Sequence, residues 1–331
     1  MSLQQPSSTQ TDMISIVIPI YNEEEVLPQL YTRLLAATAS WDHPVEIIFV
    51  DDGSSDTSAS IIKDLSFGRS NVRLVQFSRN FGHQAAVSAG IGEAQGAAVI
   101  LMDGDLQDPP EVLIRFIEKW REGFDVVYAI RTKRKENLFK RAAYKLFYRL
   151  MNRISKLDIP LDSGDFCLID RKVVDVLLEL PENIRFVRGL RTYVGFRQTG
   201  LRYERDRRAA GAPKYSYRKL YTLALDGIFG FSLMPLRIAS YMGLIIAIPS
   251  FLLGIFFIIH RIFDFKLLGY SPTDTPGLAS LATGIFFLGG VTLIILGIIG
   301  EYLGRIYIEV KRRPPFVIKE IWSGKEAEKK S

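Results

Sequence analysis

At 331 residues, with 48% hydrophobic and 24% charged side chains, the chain can bury a sizeable core and carry one further module, which excludes a disordered or fibrous protein. A single cysteine, Cys167, excludes an intramolecular disulfide framework, and there is no Cys/His cluster for zinc. The formal charge of +6 is modest, so the distribution of charge bears on partners more than its total does.

The opening "MSLQQPSSTQTD" is polar and lacks the basic and apolar regions of a secretory signal, so a cytosolic start is expected. Between Ser15 and about Tyr128, the apolar runs "ISIVIPI", "VEIIFV", "VRLVQF", "AAVILM" and "DVVYAI" alternate with helix-like stretches. That alternation predicts an α/β domain with crossover connections and a mostly parallel sheet. In such sheets, ligands bind in the crevice outside the strands' C-terminal ends.

The first run ends in "IPIYNEEEVL" (18–27). Pro19 offers no N–H and stops the ladder, and Asn22 is placed to cap a helix beginning among Glu23 to Glu25. The second run ends in "DDGSSDTS" (51–58), where Gly53 allows a tight turn and Ser55 or Asp56 can cap the next helix. Asp51 and Asp52 are too negative a pair for a phosphate cradle. They suit hydrogen-bond donors, such as ribose hydroxyls or a base N–H. "GIGEAQG" (90–96) looks like a dinucleotide fingerprint but precedes a strand where the fingerprint must follow one, so it reads as a helix end.

The fourth run, Ala97 to Met102, is continuously apolar, as expected of a strand buried on both faces. It leads into "MDGDLQDPP" (102–110). Asp103 and Asp105, joined by a tight turn at Gly104, can converge on a hard divalent cation, with Gln107 as a further oxygen ligand. The same residues also suit an ordinary turn, with Asp108 near the N-cap of a helix started by Pro109 and Pro110.

From Arg131 to Lys156 there are ten Lys or Arg and one Glu. Leu138, Ala142, Leu146, Leu150 and Ile154 recur every four residues, with Arg141, Lys145, Arg149 and Arg153 opposite them. This predicts a basic amphipathic helix. Its expected partner is an anionic lipid surface and not nucleic acid, because two apolar spans follow in the same chain. A solvated charged face over a core-packing stripe is the alternative. In "DSGDF", Asp162 and Asp165 suit a catalytic base, a cap or a ligand for sugar hydroxyls.

Leu220 to Met234 is a further apolar-rich segment, suited to the membrane interface, and it leads directly into the first span. Ile238 to Ile259 and Gly277 to Gly300 run for 22 and 24 residues without a charge. A helix rising about 1.5 Å per residue needs roughly 20 such residues to cross a hydrocarbon layer. Arg237 precedes the first, and Arg305, Lys311, Arg312 and Arg313 follow the second, which places both ends on the cytoplasmic side. The connector His260 to Pro276 is less basic and is expected on the other side. In the tail, "RRPPFVIKEI" (312–321) can add a strand to the soluble domain or, in a homo-oligomer, to a neighbouring subunit.

In this order, "SIVIPIYNEEEVL", "FVDDGSSDTS", "MDGDLQDPP" and "RAAGAPKYS", followed by two spans, resemble family 2 glycosyltransferases of the dolichol-phosphate or undecaprenyl-phosphate sugar transferase group. The resemblance implies a GT-A-type nucleotide-sugar-binding domain over 1–215, interfacial amphipathic helices over 216–235, a transmembrane hairpin over 236–304 and a cytoplasmic tail over 305–331. It implies an enzyme of the inner membrane, with its catalytic domain cytoplasmic, that moves glucose from the donor UDP-glucose to a polyprenyl phosphate. Pro19, Tyr21, Glu23, Asp51, Asp52, Asp103 and Gly104 would line the nucleotide-sugar site, with Asp52 on the uracil or ribose. Asp103, Asp105 and Gln107 would hold Mg²⁺ or Mn²⁺, with Asp105 central to catalysis.

By the same resemblance, Arg131, with Lys140 or Arg141, would contact the acceptor phosphate. Arg208 and Lys214 match the arginine and lysine of the group's mobile loop, although Ala212 and Pro213 stand where Glu and Ser are common. A phosphate monoester, with a second pKa of about 6, is already largely dianionic at neutral pH and needs cations more than a base. Arg131 fits that need, while a hydroxyl acceptor would call on Asp162 or Asp165. One in-line displacement would invert the anomeric centre.

Two alternatives remain at this stage. A processive polysaccharide synthase usually carries a Q-x-x-R-W segment and more spans, and neither is found here. A noncatalytic nucleotide-sugar-binding scaffold would be expected to have lost Asp103 or Asp105, and both are retained.

Overall fold

The computed structural model describes residues 12–131, 163–182, 185–204, 234–263 and 278–324. The basic segment after Arg131, including Lys140 and Arg141, lies outside the described residues. So do Asp162, Arg208, Lys214 and the expected interfacial segment up to residue 233. Two compact units are present, one within Met1–Gly227 and Arg313–Ser331, the other within Ile228–Arg312.

The first unit is built on β1 (Ile14–Ile20), α1 (Leu27–Thr38), β2 (Val45–Asp51), α2 (Ser58–Leu65), β3 (Val72–Phe77), α3 (His83–Glu93) and β4 (Ala98–Leu101). A 3₁₀ turn at Pro110–Val112 precedes α4 (Leu113–Arg121). Then follow β5 (Val126–Arg131), β6 (Ser163–Asp170), α5 (Arg171–Glu179), α6 (Val187–Tyr193) and β7 (Gln198–Tyr203). The unit ends with β8 (Ile318–Ser323).

All eight strands form one sheet in the order β7-β5-β6-β4-β1-β2-β3-β8. β4, β1, β2 and β3 pair in parallel, as do β5 and β7, whereas β6 and β8 run antiparallel to their neighbours. The sheet is therefore mostly parallel. The tail strand β8 pairs with β3 of its own chain and covers what would otherwise be a parallel edge.

Strand pleating explains the layers. Ile14, Ile16, Ile18 and Ile20 belong to one buried cluster with Leu27, Leu30 and Leu34 of α1 and Phe116 and Ile117 of α4. The opposite face of β1 and β2 presents Val17 and Val50 to Gly90 of α3. With helices on both faces, the central strands lose all contact with water, which is why their sequences read as continuous apolar runs. The 90–96 segment closes α3 and turns into β4, as its order in the chain indicated.

Two expected caps are not made. Asn22 does not cap α1, which starts only at Leu27, after Val26, with Pro28 in its first turn. Asn22 instead takes φ 51°, and its carboxamide oxygen accepts from Ser55 N at 2.8 Å. Asp108 does not cap the helix after Pro109 either. It is fully buried and accepts a hydrogen bond from the Tyr203 hydroxyl.

The second unit contains α7 (Met234–Phe263), with Pro249 inside it, and α8 (Leu278–Lys311). Among the described residues one stretch, Phe287–Lys311, has the length and mean hydropathy, 1.8, of a membrane-crossing helix. The first expected span lies inside α7, whose Leu236–Ile246 is a shorter apolar stretch by the same measure.

Candidate active site

Chain direction puts the C-terminal ends of β1, β2, β4 and β5 along one side of the sheet, and the motif residues follow them directly. The loops after β1 and β2 hold each other. Asn22 N donates to Ser54 Oγ at 2.9 Å, Glu23 N to Ser58 Oγ at 3.0 Å and Glu24 N to Asp56 Oδ2 at 3.2 Å. In return, Thr57 N and Oγ1 donate to Glu24 Oε2 at 3.0 and 2.6 Å. Glu23 and Glu24 thus precede α1 and are not in its first turn. Asp56 also accepts from Ser58 N at 3.0 Å, at the start of α2.

Asp51 and Asp52 are both buried. Asp51 accepts from Ser54 N at 3.0 Å and from the Gln76 amide at 3.1 Å. Asp52 accepts from Phe81 N at 2.7 Å and from Gly82 N at 3.0 Å, so it fixes the loop between β3 and α3. Burial raises its pKa, although those two amides pull the other way. Between the acids and that loop, Gly53 takes φ +66°, and a Cβ there would lie 2.4 Å from the carbonyl carbon of Arg79. Tyr21, at 39% exposure, stands open beside this pair.

After β4 the chain makes a tight turn. Asp105 Oδ1 accepts from Gln107 N at 3.1 Å, and Leu106 between them takes φ 55° with its side chain buried. Left-handed backbone at a bulky residue is costly and persists only where packing holds it, which here is the buried Leu106 side chain. Gly104 packs on the end of β1, where a Cβ would sit 2.5 Å from Ile20 Cδ1. Asp105 is nearly buried and Asp103 partly open, with Asp103 Oδ1 3.7 Å from His83 Nε2.

Across from Asp103 lies a cluster that the sequence did not reveal. A cavity of about 240 Å³ is lined by Phe81, His83, Gln84, Asp165, Phe186 and Arg188, among others. Asp165 sits inside it with both oxygens engaged. Arg188 Nε and Nη2 donate at 2.7 and 3.1 Å, and His83 Nε2 and Gln84 Nε2 each lie at 3.2 Å. Burial works to raise the Asp165 pKa, but the Arg188 charge and the His83 hydrogen bond hold it well below the carboxylate range. Burial works to lower His83, but the bond to Asp165 and the charges of Asp103 and Asp165 raise it to about 9, so the imidazole is a cationic donor.

Arg131 ends β5 and donates from Nε to the Tyr203 hydroxyl at 3.4 Å. Burial works to lower its pKa, but Asp108, the bonded Tyr203 hydroxyl and Asp103 together more than offset this, so it stays a firm cation. Burial and the Asp108 charge raise the Tyr203 phenol, which stays protonated and donating. His83, Gln84, Arg188 and Tyr203 are thus the site residues that sequence reasoning missed. His83, Gln84 and Tyr203 lie 80 or more residues from their partners and Arg188 lies 23 from Asp165, and no local spacing joins them.

The sequence pattern of glycosyl transferase family 2 matches residues 15–178. An uncharacterized glycosyltransferase of Synechocystis sp. is 47% identical over 93% of this chain and 95% of its own. The SfII prophage-derived bactoprenol glucosyl transferase of Shigella flexneri is 43% identical over 94% of this chain and 99% of its own. Among solved structures, glucosyl-3-phosphoglycerate synthase from Mycobacterium tuberculosis, in complex with Mn²⁺, UDP and phosphoglyceric acid, superposes with a TM-score of 0.50. It shares 16% identity over 66% of this chain and 76% of its own, a likeness of fold alone.

Proposed function

The chain belongs to glycosyl transferase family 2, and on that premise we propose that it moves one glucose from UDP-glucose to a polyprenyl phosphate at the cytoplasmic face of a membrane. Relatives named bactoprenol glucosyl transferases, alike along nearly their whole length, support the sugar and the lipid.

The observation that carries the choice of acceptor is the state of Asp165. A hydroxyl nucleophile needs a base whose pKa lies near the working pH. Asp165 has both oxygens occupied and is held far below that range, so it is a poor base. A phosphate acceptor needs no base, only cations to place it. Arg131, firmly protonated at the end of β5, meets that need, and Lys140 and Arg141 would add to it.

Asp103, Asp105 and Gln107 offer only oxygen donors, which suits a hard ion. Among the described residues no three His, Cys, Asp or Glu side chains converge on one point. The protein would then supply the two carboxylates and the Gln107 amide oxygen, leaving the diphosphate and water to complete the shell, in keeping with a hard ion bound through few protein groups. When bound, Mg²⁺ or Mn²⁺ would supply Lewis-acid stabilisation of the departing diphosphate. Pro19, Tyr21, Glu23, Asp51, Asp52 and Gly104 would form the nucleotide end, to which the resemblance adds Arg208 and Lys214. Displacement in one step inverts the anomeric centre.

The test is transfer of labelled glucose from UDP-glucose into organic-extractable lipid by the purified full chain with undecaprenyl phosphate and Mn²⁺. Label in lipid that disappears with chelator is the expected result. Donor consumption without labelled lipid would overturn the acceptor, and a product retaining the donor configuration would overturn the single displacement.

A further inference from the structure

We propose that the tail after α8 is a positioning element of the nucleotide end, acting through Phe316 on the loop between β3 and α3. The inference rests on the reading of Asp52 as nucleotide-facing, and it adds to that site a segment more than 200 residues away in sequence.

The ladder between β8 and β3 is regular from Arg73↔Ser323 to Gln76↔Glu320 and then breaks between Gln76 and Phe77. Beyond the break the tail continues to hold the loop by other means. The Val317 carbonyl accepts from Ser78 N at 3.0 Å. The Phe316 ring stacks on Phe77, with centroids 5.1 Å apart and planes 10° from parallel. Phe77 in turn meets Phe81 edge-on at 5.8 Å. Phe81 and Gly82 are the residues whose amides fix Asp52, and His83, next in the chain, bonds Asp165.

A file of three aromatic rings therefore runs from the tail to the loop that joins both acid clusters. The loop contains Gly82 at φ +102°, a backbone that glycine adopts readily, and its amide is held by Asp52. Asp52 and the His83–Asp165 contact hold it from one side, and the aromatic file, with Arg79 over the Phe81 ring at 4.0 Å, holds it from the other. Pro314 and Pro315 restrict the approach of Phe316, which favours a single placement of the ring. On the other side of β3, Gln76 carries the same support to Asp51. Phe316 thus acts as a positioning residue, through Phe77 and Phe81.

The experiment compares Phe316→Ala, Phe316→Tyr and Ile321→Ala in the full chain in detergent. Ile321 pairs with Val75 on the same strand but lies away from the loop, so it reports loss of strand packing alone. Two readouts are taken: hydrogen exchange of the 78–85 segment without ligand, and the separate KM and kcat for UDP-glucose. Phe316→Ala is expected to speed exchange at Phe81 and Gly82 about tenfold. It is also expected to raise donor KM about fivefold with kcat within about twofold of the parent. Phe316→Tyr should restore both, and Ile321→Ala should move neither. Unchanged exchange, an equal effect of Ile321→Ala, or faster exchange without a change in donor KM each overturn the proposal. If the parent chain turns over no UDP-glucose while exchange still responds to Phe316, the donor reading fails and the loop support stands.

Discussion

Asp165 receives hydrogen bonds from Arg188, His83 and Gln84 and is almost closed to solvent. Its folded pKa is depressed, so its contribution to stability is present above the ordinary carboxylate pKa and is lost only as pH falls through the lower folded value. From about pH 5 to 8 it does not titrate, and a pH–rate profile should carry no ionisation from it there. Removing one partner of a buried charge set costs about 3 kcal/mol, so Asp165→Asn should lower unfolding stability by that order. Because it also removes the bond and charge that raise His83, an ionisation that appears in the variant between those limits belongs to His83. Loss of an ionisation between those limits would make Asp165 a base and reopen the hydroxyl acceptor. Asp105→Ala is expected to reduce turnover by at least about 10²-fold, through loss of charge stabilisation at the leaving group. Arg131→Ala should raise KM for lipid phosphate with donor KM little changed, and the converse result would place Arg131 at the donor. The acids were legible from sequence because they are neighbours at strand ends. His83, Arg188 and Tyr203 were not, because only the folded sheet brings them to Asp165 and Asp108.

At the level of elements, the two best-marked motifs prove to be one structure. "YNEE" and "SSDTS" exchange hydrogen bonds across more than 30 residues, so the Asn that reads as a helix cap and the Glu residues after it are ties between loops. The left-handed backbone of Asn22 separates two contributions that a single substitution would merge. Asn22→Gly keeps the conformation accessible and loses only the bond to Ser55, whereas Asn22→Ala loses both. We expect Asn22→Ala to cost about 2 kcal/mol and Asn22→Gly about 1 kcal/mol in denaturant unfolding, with donor KM rising in the same order. Equal costs would mean that the backbone strain is negligible. β4 was legible because burial on both faces makes an uninterrupted apolar run, and β1, β2, β3 and β5 because polar residues such as Ser15, Glu46, Arg73 and Gln76 only briefly break theirs. β6 was hidden because the acids of "DSGDF" read as a base, a cap or sugar ligands and not as a strand, and its antiparallel course follows from no local signal. β7, "QTGLRY", alternates too weakly to be read without its partner β5.

For the whole molecule, the second unit poses a problem of exposed apolar surface. Ile245 on α7 and Leu293 on α8 are 70% and 72% exposed, as are many of their large apolar neighbours. Apolar surface of this extent marks contact with a membrane or a partner. Helices of 30 and 34 residues rise about 45 and 51 Å, enough to span a hydrocarbon layer of roughly 30 Å with residues to spare. If both helices cross, Arg237 before the first apolar stretch and Lys311, Arg312 and Arg313 after the second would put both ends on the cytoplasmic side. Cys167 is buried, so it should give little background in a labelling experiment on the folded chain. With Ser8→Cys, Ser271→Cys and Ser331→Cys in sealed inside-out vesicles, an impermeant maleimide should label positions 8 and 331 and spare 271. Labelling of 271 from the same side as the termini would leave at most an interfacial hairpin. The lipid phosphate would then have to be reached from a chain lying on the membrane, with the basic segment after Arg131 as its remaining anchor.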